Sequence, residues 1–190
     1  MQKLFLLPAY KKSRFIIILF SILAVLCLIR FGLSVICLRN LILLGCLFCL
    51  SLTDLESYII PDSCLIIASA AWVAAIPFEF EKYGTLMGIG IHVASAFVCG
   101  GSVLAIALLM DIVLKKESLG GGDIKLIAVM GLYLGMDASL FAMLISCIMG
   151  LIFVLIRKGI HPNIEDHFPF GPSIAVSIWI VLMYGDFLIK

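Results

Sequence analysis

Two stretches of this chain set carboxylates beside glycine, proline and long apolar runs. They are Thr53-Asp54-Leu55-Glu56-Ser57-Tyr58-Ile59-Ile60-Pro61-Asp62 and Leu119-Gly120-Gly121-Gly122-Asp123-Ile124-Lys125. Asp54 follows an apolar run over 35–53, and Asp123 precedes one over 124–135. Each carboxyl therefore sits where a charge is expensive, and an ionisable residue at such a boundary points to function. Two carboxyls brought close together resist joint ionisation and share one proton. One can then act as base on a water while the other, protonated, polarises a carbonyl, the division of roles used in aspartic proteolysis.

Asp62 competes with Asp123 as the partner of Asp54. On one continuous helix a separation of eight would put Asp54 and Asp62 on the same face. Pro61 prevents this, because it pushes Ile60 out of the helical region and removes a donor. Asp62 is instead expected to cap the next helix, just before Ser63 and Cys64. The glycines before Asp123 admit positive φ and let another backbone, such as an extended substrate, approach without a Cβ in the way. They fit equally well a plain glycine turn that opens a helix with Asp123 as its N-cap. Local sequence does not choose between these two.

The elements that must position these residues are apolar. Of 190 residues, 64% are hydrophobic and the mean hydropathy is +1.25, against about 45–50% apolar in ordinary globular chains. Runs fall at 15–31, 35–53, 63–78, 84–114, 124–135, 138–156 and 171–188 without strand-like alternation. A bilayer admits only helices or closed barrels, and continuous runs choose helices. The expectation is an all-α, polytopic transmembrane bundle of about seven membrane segments, one of them short, in a single domain over 1–190. The 84–114 run, at roughly 46 Å as helix, overshoots a hydrocarbon core of about 30 Å. Gly100-Gly101 offers it a place for close packing or a bend.

Charge sets the orientation. If the short fifth segment crosses and the N-terminus is cytoplasmic, the inner side holds Lys3, Lys11, Lys12, Arg14, Lys115, Lys116, Lys125, Arg157 and Lys158, nine of the thirteen Lys and Arg residues. The positive-inside rule favours that arrangement, with the C-terminus outside. A net charge of +1 without a Lys/Arg tract excludes a nucleic-acid binder. The seven cysteines lie mostly inside apolar runs and read as small hydrophobes rather than a disulfide framework. His92 is expected to hydrogen-bond across the bundle. Glu56 and Glu117 are candidates for an acidic rim, and His161, Glu165, Asp166 and His167 match no trusted metal-ligand spacing. No metal or cofactor is expected.

The motifs resemble those of the type IV prepilin leader peptidases. Asp54-x6-Pro61-Asp62 and Gly120-x-Gly122-Asp123-x-Lys125 are similar to that family's two signature stretches. Glu117 to Leu126, the run to Gly135 and the late Pro169-Phe170-Gly171-Pro172 follow in matching order. The resemblance implies a multi-pass aspartic endopeptidase of the bacterial inner membrane. It would cut the leader from prepilins or pseudopilins at the cytoplasmic face, with lipid and the substrate as its partners. Asp54 and Asp123 match the catalytic aspartates; Gly120, Gly122 and Lys125 match supporting motif positions. Long bacterial members carry an N-terminal extension with two CxxC pairs. Nothing similar precedes the first apolar run here, so the expectation is the short form, cleaving without N-methylation by S-adenosylmethionine. The rival readings are a catalytically silent membrane component of a pilus or secretion assembly and a small transporter. A transporter would be expected to carry broken helices or inverted repeats at mid-membrane, whereas these aspartates gather at one face.

The charge pattern places 115–122 inside and 79–83 outside. A single cysteine at position 120 should react with an impermeant thiol reagent only after the membrane is opened. Labelling from outside in intact cells would overturn this topology.

Overall fold

The computed structural model describes residues 9–78, 86–115, 119–160 and 169–188. Among them are seven α-helices: α1 Ala9–Phe31, α2 Val35–Ser57, α3 Asp62–Ala75, α4 Leu86–Leu114, α5 Gly121–Leu134, α6 Met136–Ile160 and α7 Gly171–Leu188. A 3-10 turn, Ile76–Phe78, extends α3. The all-α bundle is as expected, and the described part of each apolar run falls on one α-helix, the 63–78 run continuing from α3 into the 3-10 turn. The charged positions Lys11, Lys12 and Arg14 also lie on α1. Glu117, residues 79–83 and the His161, Glu165, Asp166 and His167 group lie outside the described residues.

Two local signals set the hinges that matter. Between α1 and α2 the chain turns at Gly32, with φ +61, and Ser34 caps α2 by accepting from the Cys37 N–H. At the other end of α2, Tyr58 adopts the left-handed conformation, φ 56, and its N–H bonds the Asp54 carbonyl. The helix thus runs through Asp54 before it stops. The apolar run ends at Thr53, but the backbone ladder continues one turn further.

Among the described residues, three helices are long and apolar enough to cross a membrane, over Val35–Ser57, Met87–Leu114 and Met136–Ile156, and α1, α3 and α7 supply shorter apolar stretches. Large apolar side chains face outward, among them Ile29, Phe97, Ile112 and Leu151, whereas Asn40, Ser95, Ser139 and Ser177 are buried. That polarity suits a solvent of lipid, where small and polar side chains hold helices together. The protein is a membrane protein.

The short α5 occupies the centre, packed by α3, α4, α6 and α7. Its Leu126, Ile127, Val129, Met130 and Tyr133 are buried in a core shared with Leu43, Leu47, Leu50, Trp72 and Ile174. Close approach to α4 depends on missing Cβ atoms. One built on Gly131 would lie 2.7 Å from the Ala96 Cα and the Ser95 carbonyl oxygen, and one on Gly100 would lie 2.9 Å from the Ala128 Cβ. Gly100 therefore serves close packing, as expected, while Gly101 faces open space. His92 bonds across the bundle through Nδ1 to the Leu132 carbonyl at 3.0 Å. The Tyr133 hydroxyl donates to the Ala68 carbonyl at 2.8 Å, beneath the Arg39 guanidinium.

Overpacking a close-packed site typically costs about 1–3 kcal/mol. Gly131→Val should accordingly lower the thermal unfolding midpoint in detergent, while Gly101→Ala should leave it unchanged or raise it. A Gly131→Val protein as stable as the parent would mean that α4 and α5 do not meet there.

Candidate active site

Asp54 sits on the last turn of α2 and is only 5% exposed. Its Oδ2 accepts a hydrogen bond from the Gly171 N–H at 2.9 Å. Gly171 is the first residue of α7, whose start is marked by the Ser173 and Ile174 N–H groups bonding the Phe170 carbonyl. A Cβ at position 171 would lie 2.8 Å from Asp54 Oδ2 and 3.2 Å from its Cγ, so only glycine leaves room for the carboxylate there.

Asp123 lies in the first turn of α5, whose N-cap is Gly120. The N-cap reading of Asp123 is thereby set aside. Its Oδ1 is buried with no hydrogen-bond partner among the described residues. Asp123 precedes the apolar run of its helix and lies outside the described stretches that are long and apolar enough to cross a membrane. Burial first, and the neighbouring Asp54 carboxylate second, push its carboxyl up to about 7. The two carboxyls singled out in the sequence are thus brought within electrostatic reach of one another.

Ile60 ties the surrounding elements together. A Cβ on Gly122 would fall 2.8 Å from the Ile60 Cβ, and one on Gly171 would fall 3.3 Å from its Cδ1. The side chain therefore lies against the starts of both α5 and α7. Of the motif glycines, Gly122 serves this close approach, while Gly120 faces the Asp123 Oδ2, 3.4 Å from the position of a Cβ. Both Gly120 and Gly121 are exposed at the mouth of the site.

Lys125 grips both oxygens of Asp62, at 2.8 and 2.9 Å. This corrects the capping role expected of Asp62: Pro61 takes the cap position with no side-chain bond, and Asp62 begins the helix. Its carboxylate turns to a cation 63 residues away in the chain, a partner that local spacing cannot show. With the two side chains 57% and 60% exposed, water screens the pair. Glu56 is exposed on the same end of α2.

The contacts of Ile60 and Gly171 were not read from sequence. Gly171 stood out only within Pro169-Phe170-Gly171-Pro172, a stretch with no assigned task. Among the described residues no group of three or more His, Cys, Asp or Glu side chains converges to hold a metal ion. All seven cysteines are free thiols, five of them buried.

A family model described as the type IV leader peptidase family matches residues 41–155. Curated relatives share 30% identity over 158 residues in Pseudomonas putida and 29% over 157 residues in Neisseria gonorrhoeae, each across 83% of this chain. A Legionella pneumophila relative shares 30% over 165 residues, 85% of this chain. All three are named prepilin leader peptidase/N-methyltransferase. The chain spans about half the length of these relatives, 53%, 52% and 55% respectively. No solved structure matches. The matched stretch holds both Asp54 and Asp123, and the chain belongs to the type IV leader peptidase family.

Proposed function

We propose that this chain is an aspartic endopeptidase that removes the leader from type IV prepilins or pseudopilins at the cytoplasmic face of the bacterial inner membrane. The observation that carries the reading is the approach of two carboxyls at one end of an apolar bundle, the buried Asp54 and the half-buried Asp123, whose Oδ1 is buried, with Asp123 pushed up to about 7. A pair in that condition can take up one shared proton near neutral pH. One carboxylate takes a proton from the attacking water, and the other gives its proton to the scissile carbonyl oxygen as the tetrahedral intermediate forms. The same proton balance then runs in reverse to protonate the leaving amine. Gly120 and Gly121, exposed beside Asp123, let an extended backbone lie close to the pair.

Orientation follows from charge. Seven crossings with the N-terminus inside put nine of the thirteen Lys and Arg residues on the cytoplasmic side. That places Asp54, Asp123 and the starts of α3, α5 and α7 where a substrate still in the cytoplasmic leaflet would present its leader junction. The relatives' names join a peptidase to an N-methyltransferase; the aspartate pair speaks to the peptidase alone.

Purified protein in detergent, incubated with a prepilin and read by the shortened product on a gel, tests the reading. Asp54→Asn and Asp123→Asn should each lower the rate by at least about 10²-fold while the protein still inserts, as loss of an acid–base partner does. Asp62→Asn should keep clear activity, because its pairing with Lys125 is solvent-screened. Robust cleavage by the Asp123→Asn protein would remove the aspartic assignment.

A further inference from the structure

The two carboxyls are not equivalent. Asp54 Oδ2 holds a backbone donor at 2.9 Å, while Asp123 Oδ1 is buried with no partner among the described residues. We propose that Gly171 is a positioning residue whose N–H, at the N-terminus of α7, keeps Asp54 as the charged base and so leaves Asp123 as the member that carries the proton. This rests on the aspartic-peptidase reading and assigns its two roles.

The physics runs in one direction from both sides. The first N–H groups of a helix have no partner within it and point outward from its start. A carboxylate met there gains a charge-assisted hydrogen bond and the favourable end of the helix dipole, both of which favour its ionised form. Asp54 has this arrangement. Asp123 also lies in a first turn, that of α5, yet its Oδ1 receives no N–H. An ionised carboxylate with a buried, unpartnered oxygen bears the full desolvation cost. A protonated carboxyl turns the same atom into a donor, able to reach a substrate carbonyl. Burial and the Asp54 charge, which raise Asp123, agree with this order.

Other groups near Asp54 do not reverse the order. Asp123 is the carboxyl that α5 brings to it. At the mouth, Lys125 is bound to both oxygens of Asp62, so this cation and this anion at the starts of α5 and α3 offset each other. The residue that α7 presents to Asp54 is Gly171, which has no side chain. On its own helix, Glu56 is exposed. Steric fit adds a requirement that no other residue type meets. Any Cβ at position 171 would press on Asp54 Oδ2 at 2.8 Å, so a side chain there would displace the carboxylate from its donor.

Two readouts on the full chain in detergent test the assignment. The first is the pH profile of kcat/KM for prepilin cleavage. Gly171→Ala should lower kcat/KM at least about ten-fold at neutral pH and move the acidic limb up by about one pH unit, as the ionised base loses its donor. Gly101→Ala, which adds the same methyl group on α4 where a Cβ meets open space, should keep the acidic limb where it is. A Gly171→Ala profile lowered uniformly, with the acidic limb unmoved, would reduce Gly171 to a packing residue and overturn the proposal.

The second readout needs no turnover and stands even if Gly171→Ala does not fold. A hydrophobic carbodiimide adds to protonated carboxyls, and peptide mass mapping locates it. At neutral pH the unaltered protein should be labelled at Asp123 and spared at Asp54. Labelling of Asp54 in preference to Asp123 would overturn the assignment. If the unaltered protein cleaves no prepilin, the peptidase reading falls by itself, while the labelling still decides which carboxyl holds the proton.

Discussion

A helix of 14 residues, such as α5, reaches about 21 Å and cannot by itself span a hydrocarbon layer of about 30 Å. Protein must therefore surround it, and α3, α4, α6 and α7 do so. In lipid there is no large hydrophobic gain from bringing apolar helices together, so association depends on how closely backbones can approach. Gly131 against Ala96 and Gly100 against Ala128 give α5 that approach to α4. His92, bonded to the Leu132 carbonyl, and Tyr133, bonded to the Ala68 carbonyl, fix the far end of the helix. The near end, which carries Asp123, is then fixed in depth and direction by packing rather than by its own loop.

At that near end the same device recurs, and it outweighs the visible ion pair. Lys125 and Asp62 make the most conspicuous polar contact of the region, but exposed pairs of this kind contribute only about 0–1 kcal/mol. What brings the starts of α5 and α7 to α2 is Ile60, lying against Gly122 and Gly171, neither of which could carry a Cβ without a clash. The glycines are thus the means by which three helix ends meet around two carboxyls.

Much of this was legible in the sequence because lipid makes hydropathy a strong signal. Among the described residues each apolar run falls on one α-helix, one of them continuing into a 3-10 turn, and the carboxylates stand out because they border runs where charge is costly. Where one residue must satisfy a tertiary partner, legibility failed. Asp62 was expected to cap α3, since Asp before a helix commonly does, but the Lys125 cation offered its carboxylate two bonds. Hydropathy marks the end of the apolar run at Thr53 and not the end of the helix, whose hydrogen bonding continues through Asp54 to Ser57. Gly171 has a role only through a side chain 117 residues earlier in the chain, and no periodicity or local motif encodes such a contact.

The proposed chemistry sets two demands that oppose one another. Sharing a proton between carboxyls requires that they be desolvated, whereas hydrolysis requires that water reach them. A pair in the middle of the bilayer would meet the first demand and fail the second. Here Asp54 is 5% exposed on the last turn of α2, and Asp123 enters on the first turn of α5. The exposed glycines Gly120 and Gly121 lie immediately outside. Asp54 is buried and Asp123 is buried far enough for its carboxyl to be pushed up to about 7, yet the exposed glycines keep the start of α5 open to solvent. The shortness of α5 belongs to the same solution: its 14 residues start at an exposed glycine segment, which stands directly beside its first carboxyl.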